Sequence, residues 1–214
     1  MENRQTDHPV AQLLRGLTEN IESATIRWEL VPKHFALAPP QCQKLWAEVT
    51  FCFVFGQYFA ALAVCGAFVE YFLETAIPAF CKRNGRAPVS VPDKFYAQIK
   101  LAREVGLISQ QQEQMLQDFR QIVRNRFDHA DMTAVANSLM SIRSVGEAYV
   151  ENGEVKIRPV SAEFTRELEQ LTVAERSAAV TQKLAPRVIQ WIGIWAGDCS
   201  REIWGPPRMD NSSS

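Results

Sequence analysis

A long uncharged segment in the first third of the chain constrains the fold more than any other feature. No Asp, Glu, Lys or Arg occurs from Val49 to Val69, and a stretch of this length is long enough for a membrane-spanning helix. Its flanks are acidic, with Glu48 before it and Glu70 and Glu74 after it, whereas membrane insertion favours basic flanks. The sequence therefore predicts a central helix buried inside a helical protein, with a small membrane-anchored protein as the alternative.

The composition is that of an ordinary globular chain. Hydrophobic residues make up 47% of the 214 residues, and the formal net charge is -1. This charge excludes a protein that coats nucleic acid through bulk electrostatics, so that any contact with nucleic acid must be local. Five cysteines without a CxxC pair favour a reduced, cytoplasmic chain without a metal site, in which Cys52 and Cys65 are core residues. We also expect no signal peptide and no cofactor.

No internal repeat, low-complexity tract or charge block divides the chain, which predicts a single helical domain over residues 1–214. An N-terminal helix is expected over about residues 10–30. A long helix over about residues 41–80, either continuous or kinked near Pro78, forms the apolar centre. A helix over about residues 93–105 closes at Gly106.

A capping-box pattern of Ser109 and Gln112 begins the next helix, whose apolar residues continue to Phe127. Beyond it, an amphipathic stretch covers about residues 132–142. Two β-type segments then flank Asn152-Gly153, which is a strong hairpin signal. A hairpin this small is expected to decorate a helical domain rather than to form the basis of a sheet.

The last part of the chain is predicted to be helical from about residue 162 onward. A second capping-box pattern joins Thr172 and Glu175, and a kink is expected at Pro186. The apolar residues predicted to mark the buried face of this helix are Trp191, Ile194 and Trp195. Residues 205–214 are expected to form a frayed tail.

Chemistry is indicated in the segment Arg124-Asn125-Arg126-Phe127-Asp128-His129. Arginine offers a planar fork of donors to a phosphate, and histidine exchanges a proton near neutral pH. Together they are the minimum needed to cleave RNA without a metal. On a straight helix Arg124 lies roughly 140° from His129, so either the helix loosens before His129 or two copies of the chain share the site.

The same segment also has a purely structural interpretation. Arg124 and Asp128 can form an exposed ion pair one turn apart, and the stem of Arg126 can lie along the apolar stripe. His129 would then do no more than help to end the helix. Spacing alone does not decide between the two interpretations.

Arg124-Asn125 followed by His129 resembles the Arg-polar-x-x-x-His motif of the HEPN superfamily, the higher eukaryotes and prokaryotes nucleotide-binding domains. The likeness covers about residues 46–130 and includes an apolar helix with a glutamate, here residues 67–74. The resemblance implies an all-α bundle that pairs into a homodimer. We therefore expect a HEPN-like core over about residues 41–204, with the hairpin as a small insertion.

In active members of that superfamily the Arg and His sets of two protomers meet in a cleft and form a metal-independent endoribonuclease. By resemblance, His129 would be the general acid or base and Arg124 would stabilise charge on the phosphate. Asn125 would orient the phosphate or the imidazole. The basic side chains of Arg120 and Arg126 are candidates for RNA binding.

Glu70 and Glu74 are candidate supporting residues, because one of them could bond to Arg124 or His129 and hold it in position. Alternatively, both glutamates mark where the apolar helix meets water. The resemblance further implies RNA as a partner, a toxin or defence setting, and a nucleotidyltransferase-like antitoxin. The alternative function is a noncatalytic helical dimer that binds a partner protein, a nucleotide or RNA.

Overall fold

One apolar helix in the first half of the chain organises the molecule. In the computed structural model, the residues that the structure describes are 21–32, 38–125, 147–151, 154–158 and 172–206. The helices of this part are α1 (residues 21–29), α2 (Pro40–Val54), α3 (Tyr58–Arg83), α4 (Phe95–Glu104), α5 (Gln110–Phe119) and α6 (Val173–Trp204). Helix α3 packs most extensively against α2 and α6, and it also touches α4. The described helices confirm the prediction of an all-α protein.

The core is centred on the side chains of α3. Leu62, Phe68 and Phe72 are fully buried. The ring of Phe72 meets the edges of two tryptophans of α6, with centroid distances of 5.2 Å to Trp195 and 5.9 Å to Trp204. Burial of such aromatic rings provides a large share of the stability of a helical core. The apolar helix is thus buried against helices of the same chain, as predicted.

The prediction of one long helix over residues 41–80 is wrong at Gly56, where α2 and α3 are separate helices. Gly56 has a φ of 75°, a conformation that glycine adopts without steric cost. The backbone N–H of Gly56 donates to the carbonyl of Phe53, and that of Gln57 donates to the carbonyl of Cys52. These two bonds form a Schellman motif that ends α2. The uncharged segment is therefore divided between two helices.

The predicted capping boxes are confirmed. The Ser109 hydroxyl accepts from the backbone N–H of Gln112, whose side chain in turn accepts from the N–H of Ser109. The same reciprocal pair joins Thr172 and Glu175 at the start of α6. Each box satisfies backbone donors that the first turn of a helix leaves without a partner.

The last described helix, α6, continues through Pro186 and packs one face on α3. Trp195 is buried, Trp191 is half-buried, and Ile194 is 47% exposed. The prediction that Ile194 marks the buried face is therefore wrong. One residue earlier, Gly193 allows a close approach, since a Cβ atom there would lie 2.7 Å from Cγ of Pro32.

Two short strands, Glu147–Glu151 and Glu154–Arg158, pair antiparallel with Val150 opposite Val155. Their role as an insertion in a HEPN-like bundle stays a prediction. Helix α1 ends at residue 29, close to the predicted end. The predictions for residues 1–20, 132–142, 162–171 and 207–214 lie outside the described residues.

Candidate functional site

Arg124 lies at the end of a π-helical turn that interrupts the helix after α5. The π turn spans Arg120–Arg124, and the backbone N–H of Asn125 donates to the carbonyl of Arg120, five residues earlier. Such turns are rare and occur often at functional sites, because they change the direction of the side chains that follow. The helix therefore departs from regular α geometry just before the predicted motif.

The guanidinium of Arg124 pairs with the carboxylate of Glu70 on α3. Its Nη2 lies 2.9 Å from Oε1 and 3.1 Å from Oε2 of Glu70. Their side chains are 31% and 27% exposed, respectively. A charge-assisted contact at these distances holds the arginine more firmly than a fully exposed ion pair does. Of the two candidate glutamates, Glu70 is thus the one that contacts Arg124.

Gly66 of α3 lies against the stem of Arg124, and sequence reasoning missed it. A Cβ atom at Gly66 would lie 3.2 Å from Cγ and 3.5 Å from Cβ of Arg124. The glycine therefore lets the stem of Arg124 lie against the α3 backbone, one turn before Glu70. A signal was present in the sequence, because an isolated glycine within a helical pattern often has a packing reason.

Three other predicted site residues, Asn125, Glu74 and Arg120, fall within the described part of the chain. Asn125 follows Arg124 in helical conformation and is half-buried, and Glu74 is exposed. The Nε of Arg120 donates to the side-chain oxygen of Gln117 at 3.0 Å, and Arg120 is half-buried. Arg126 and His129 lie outside the described residues. Among the predicted residues, the structure joins Arg124 to Glu70.

In the described part of the chain, no group of three or more His, Cys, Asp or Glu side chains could hold a metal ion. The cysteines there are free thiols. Burial raises the pKa of Cys65 and raises the pKa of Cys199 to about 12. These two thiols are therefore protonated at neutral pH and poorly suited to nucleophilic chemistry.

One described helix, α3, is long and apolar enough to cross a membrane, because its most apolar 18 residues have a mean hydropathy of 1.6. Of these residues, 56% are buried inside the protein. A core helix of a soluble protein meets the same criterion of length and composition. Its packing against α2, α4 and α6 accords with the predicted core helix.

Comparison of the chain with protein-family models, with curated proteins and with solved structures gives no match. The chemistry of the site must therefore be argued from its own residues. The π turn and Glu70 together fix one guanidinium at the edge of the helical core, with about a third of its side chain exposed. A cation held in this way can bind an anion such as a phosphate.

Proposed function

We propose that the chain is a HEPN-like, metal-independent endoribonuclease that acts as a cytoplasmic homodimer in a toxin or defence setting. The observation that carries the proposal is the pairing of Arg124 with Glu70 at 2.9 Å at the end of a π turn. An arginine that is both held and partly exposed is preorganised to stabilise charge on a phosphate, which is a major source of catalytic power.

The reaction proposed is attack of a ribose 2′-hydroxyl on the adjacent phosphodiester. A P–O bond forms to the 2′-oxygen and the bond to the 5′-oxygen breaks, which gives a 2′,3′-cyclic phosphate and a 5′-hydroxyl. His129 makes one of the two proton transfers, either from the 2′-hydroxyl or to the leaving 5′-oxygen, and water makes the other. Arg124 stabilises the charge that develops on the phosphoryl oxygens. DNA lacks the 2′-hydroxyl nucleophile and is not cleaved.

Glu70 acts in this proposal as a positioning residue. Both of its carboxylate oxygens contact Nη2 of Arg124, so that this nitrogen is held from α3. Glu70 also offsets part of the arginine charge, which weakens the attraction for phosphate. The homodimer, with a second Arg and His set, together with Arg120 and Arg126 would supply further contacts to RNA. A nucleotidyltransferase-like antitoxin would regulate this activity.

The test is cleavage of single-stranded RNA by the purified protein in the presence of a metal chelator. We expect cleavage by the wild type and its loss in Arg124→Ala and in His129→Ala, by about 100-fold or more for each. Glu74→Gln is the control variant and should cleave RNA as the wild type does, because Glu74 is exposed on α3 one turn after Glu70. Circular dichroism and size-exclusion chromatography would verify that each variant keeps its fold and oligomeric state.

A substrate control identifies the nucleophile. An oligonucleotide with a single ribose in a deoxyribose strand should be cut after that ribose, and the all-deoxyribose strand should stay intact. Cleavage that persists at the wild-type rate in Arg124→Ala and His129→Ala would contradict the proposal. So would cleavage of the all-deoxyribose strand.

The second candidate is a noncatalytic helical module that binds a partner protein, a nucleotide or RNA. It is favoured by the same ion pair, because a contact between α3 and the π turn also has a purely structural use in joining two helices. In this case RNA remains intact in every variant. The substitution Glu70→Gln would then lower stability without a change in any reaction.

A further inference from the structure

One face of α4 carries an exposed aromatic ring followed by two basic side chains. Tyr96 is 44% exposed, and Lys100 and Arg103 are exposed as well. These residues stand at positions i, i+4 and i+7 of the helix, which places them in line on one face. The buried face of α4 is a different one, and it includes Phe95 and Ile99. We call the three exposed residues the α4 stripe, which is about 10 Å long.

A side-chain amide of α5 lies between the first residue of the α4 stripe and the π turn. Nε2 of Gln117 donates to the backbone carbonyl of Tyr96 at 3.4 Å, and Oε1 of Gln117 accepts from Nε of Arg120 at 3.0 Å. The guanidinium of Arg120 is thus tied through one amide to the N-terminal turn of α4. Arg120 stands four residues before Arg124, so the two arginines are neighbours one turn apart on their helix. The α4 stripe therefore begins next to the turn that carries Arg124.

The charges of the α4 stripe and of Arg120 suit a polyanion. The stripe carries two positive charges, and Arg120 adds a third cation beside its first residue. Gln117, which holds Arg120, is neutral and so leaves the guanidinium its full positive charge. Arg124 differs, because its partner Glu70 is a carboxylate. Arg120 is therefore expected to attract a phosphate more strongly than Arg124 does.

Acidic residues on the same helices limit this positive surface. Glu104, at the last position of α4, lies roughly 80° around the helix axis from Tyr96. Asp118 stands two residues before Arg120 and so lies on the opposite side of its helix. Glu113 lies two turns before Arg120 on the same side of α5, and its carboxylate repels phosphates. A strand that passes Arg120 is therefore expected to continue along the α4 stripe and not along α5.

An aromatic ring in line with cations matches the chemistry of single-stranded nucleic acid. Bases stack on exposed aromatic rings with little regard to sequence, and the phosphates between them bind to lysine and arginine. An acidic peptide would satisfy the cations but offers no regular series of flat groups to the ring of Tyr96. The length of the α4 stripe leaves room for about two nucleotides. These features favour a single strand of nucleic acid over an acidic protein.

We propose that the α4 stripe is a binding track for single-stranded RNA. Tyr96 stacks on a base, and Lys100 and Arg103 contact the phosphates that follow it. Arg120 contacts a phosphate between the stripe and the Arg124 site. The choice of RNA rests on the proposed function, since the stripe then holds the part of the substrate strand next to the bond that is cleaved. The three residues of the stripe take no part in the reaction itself.

The probe is a fluorescently labelled 2′-O-methyl RNA of about 12 nucleotides with mixed sequence. Its blocked 2′-oxygens prevent the proposed cleavage, so that binding is measured separately from catalysis. Fluorescence anisotropy with the full chain should show saturable binding that weakens as salt is added. For a single strand, the logarithm of the binding constant falls with the logarithm of the salt concentration, with a slope of about −0.7 for each phosphate that the protein neutralises.

Variants separate base stacking from phosphate contacts. Tyr96→Ala should weaken binding by about tenfold without a change in the salt slope, and Tyr96→Phe should stay within about twofold because it keeps the ring. Lys100→Ala and Arg103→Ala should each make the salt slope shallower by about 0.7. The matched controls are on α2, where Phe51→Ala removes a similarly exposed ring and Lys44→Ala removes an exposed lysine. Both controls should bind the probe as the wild type does.

Several results would overturn the proposal, once circular dichroism has established that the variants are folded. These are absence of binding, equal effects of Tyr96→Ala and Phe51→Ala, and a salt slope that neither Lys100→Ala nor Arg103→Ala changes. A fourth is a glutamate-rich peptide that binds as tightly as the probe and is equally sensitive to Tyr96→Ala, because an acidic protein would then occupy the stripe.

The outcomes also separate this proposal from the nuclease. If the variants of the α4 stripe behave as expected but RNA stays intact in chelator, the binding track stands while the nuclease proposal fails. If RNA is cleaved but Tyr96→Ala binds the probe as the wild type does, the binding track fails while the nuclease proposal stands.

Discussion

The helices α2 and α3 are joined by Phe55, Gly56 and Gln57 and are both rich in apolar residues, yet the fold covers them differently. Neighbouring helices enclose most of α3, so that Phe72 is fully buried. Phe51 on α2 is 59% exposed. The difference teaches that hydropathy identifies segments able to enter a core but does not identify which of their faces the core will cover.

The largest expected difference is in the free energy of unfolding of two variants, one with a substitution at Phe72 on α3 and one with a substitution at Phe51 on α2. Phe72→Ala removes a ring that contacts Trp195 and Trp204, and we expect the free energy of unfolding to fall by about 3–5 kcal/mol. Phe51→Ala should change it by less than about 1 kcal/mol, because little buried contact is lost. Urea denaturation would measure both, and equal losses would refute the contrast between α2 and α3.

Two glycines provide a smaller and sharper contrast. A Cβ atom at Gly193 would lie 2.7 Å from Pro32 and 2.8 Å from the ring of Trp46 on α2. Gly193→Ala should therefore destabilise the protein by about 1–3 kcal/mol through overpacking. At Gly66 the nearest atom is Cγ of Arg124 at 3.2 Å, which needs to move by only a few tenths of an ångström, and alanine gains helix propensity of about 1 kcal/mol.

Gly66→Ala should consequently be close to neutral or stabilising in the same denaturation experiment. Gly193→Ala and Gly66→Ala thus compare the same substitution at a severe close contact and at a mild one. A Gly193→Ala variant as stable as the wild type would mean that α6 does not approach α2 so closely.

The ion pair between Glu70 on α3 and Arg124 is expected to contribute about 1 kcal/mol to the free energy of unfolding. Glu70→Gln keeps the size of the side chain but removes its charge, and the pair is only partly screened by solvent. Glu74→Gln should have almost no effect, because Glu74 is exposed. The difference between the two variants should shrink in 1 M salt. Equal stability of Glu70→Gln and Glu74→Gln at low salt would show that the pair does not stabilise the fold.

The smallest perturbation is chemical labelling of the thiols, which requires no substitution. Burial raises the pKa of Cys65 on α3; burial and the nearby Glu48 carboxylate also raise that of Cys52 on α2, but Cys52 is only half-buried. Because the thiolate is the reactive form, alkylation should accelerate with pH until each pKa is passed. Cys52 should react roughly tenfold faster than Cys65 in the folded protein.

Mass mapping of iodoacetamide-treated protein would measure both rates. In denaturant the two thiols should react alike, since the buried environment is lost. Faster labelling of Cys65 than of Cys52 in the folded protein would contradict the described packing of α2 and α3.

Several local features could be predicted from the sequence. Both capping boxes, the end of α4 near Gly106 and the helical character of the chain depend on residues close together in sequence. The break at Gly56 was missed, although its glycine was visible, because the apolar residues on both sides continue a helical pattern. A Schellman motif needs the same kind of glycine that also ends α4, so the signal existed in local chemistry.

The candidate site was predicted only in part. Arg124 and Glu70 were both named from the sequence, but two interpretations of Glu70 were open. Their contact joins residues 54 positions apart; Arg124 lies at the end of the π turn, and its stem lies against Gly66, which has no side chain. Nothing in the spacing of Arg124 to His129 specifies either feature, because a π turn changes the direction of the residues after it.

The amino-acid sequence by itself determined which segments are helical and where several of them begin and end, since caps and glycines act over a few residues. The tertiary structure decided which faces are covered, as Ile194 and Phe51 show by their exposure. It also decided that Glu70, rather than Glu74, meets Arg124. The reason is physical: burial and ion pairing depend on how whole helices pack against one another, and that packing is fixed by contacts between distant parts of the chain.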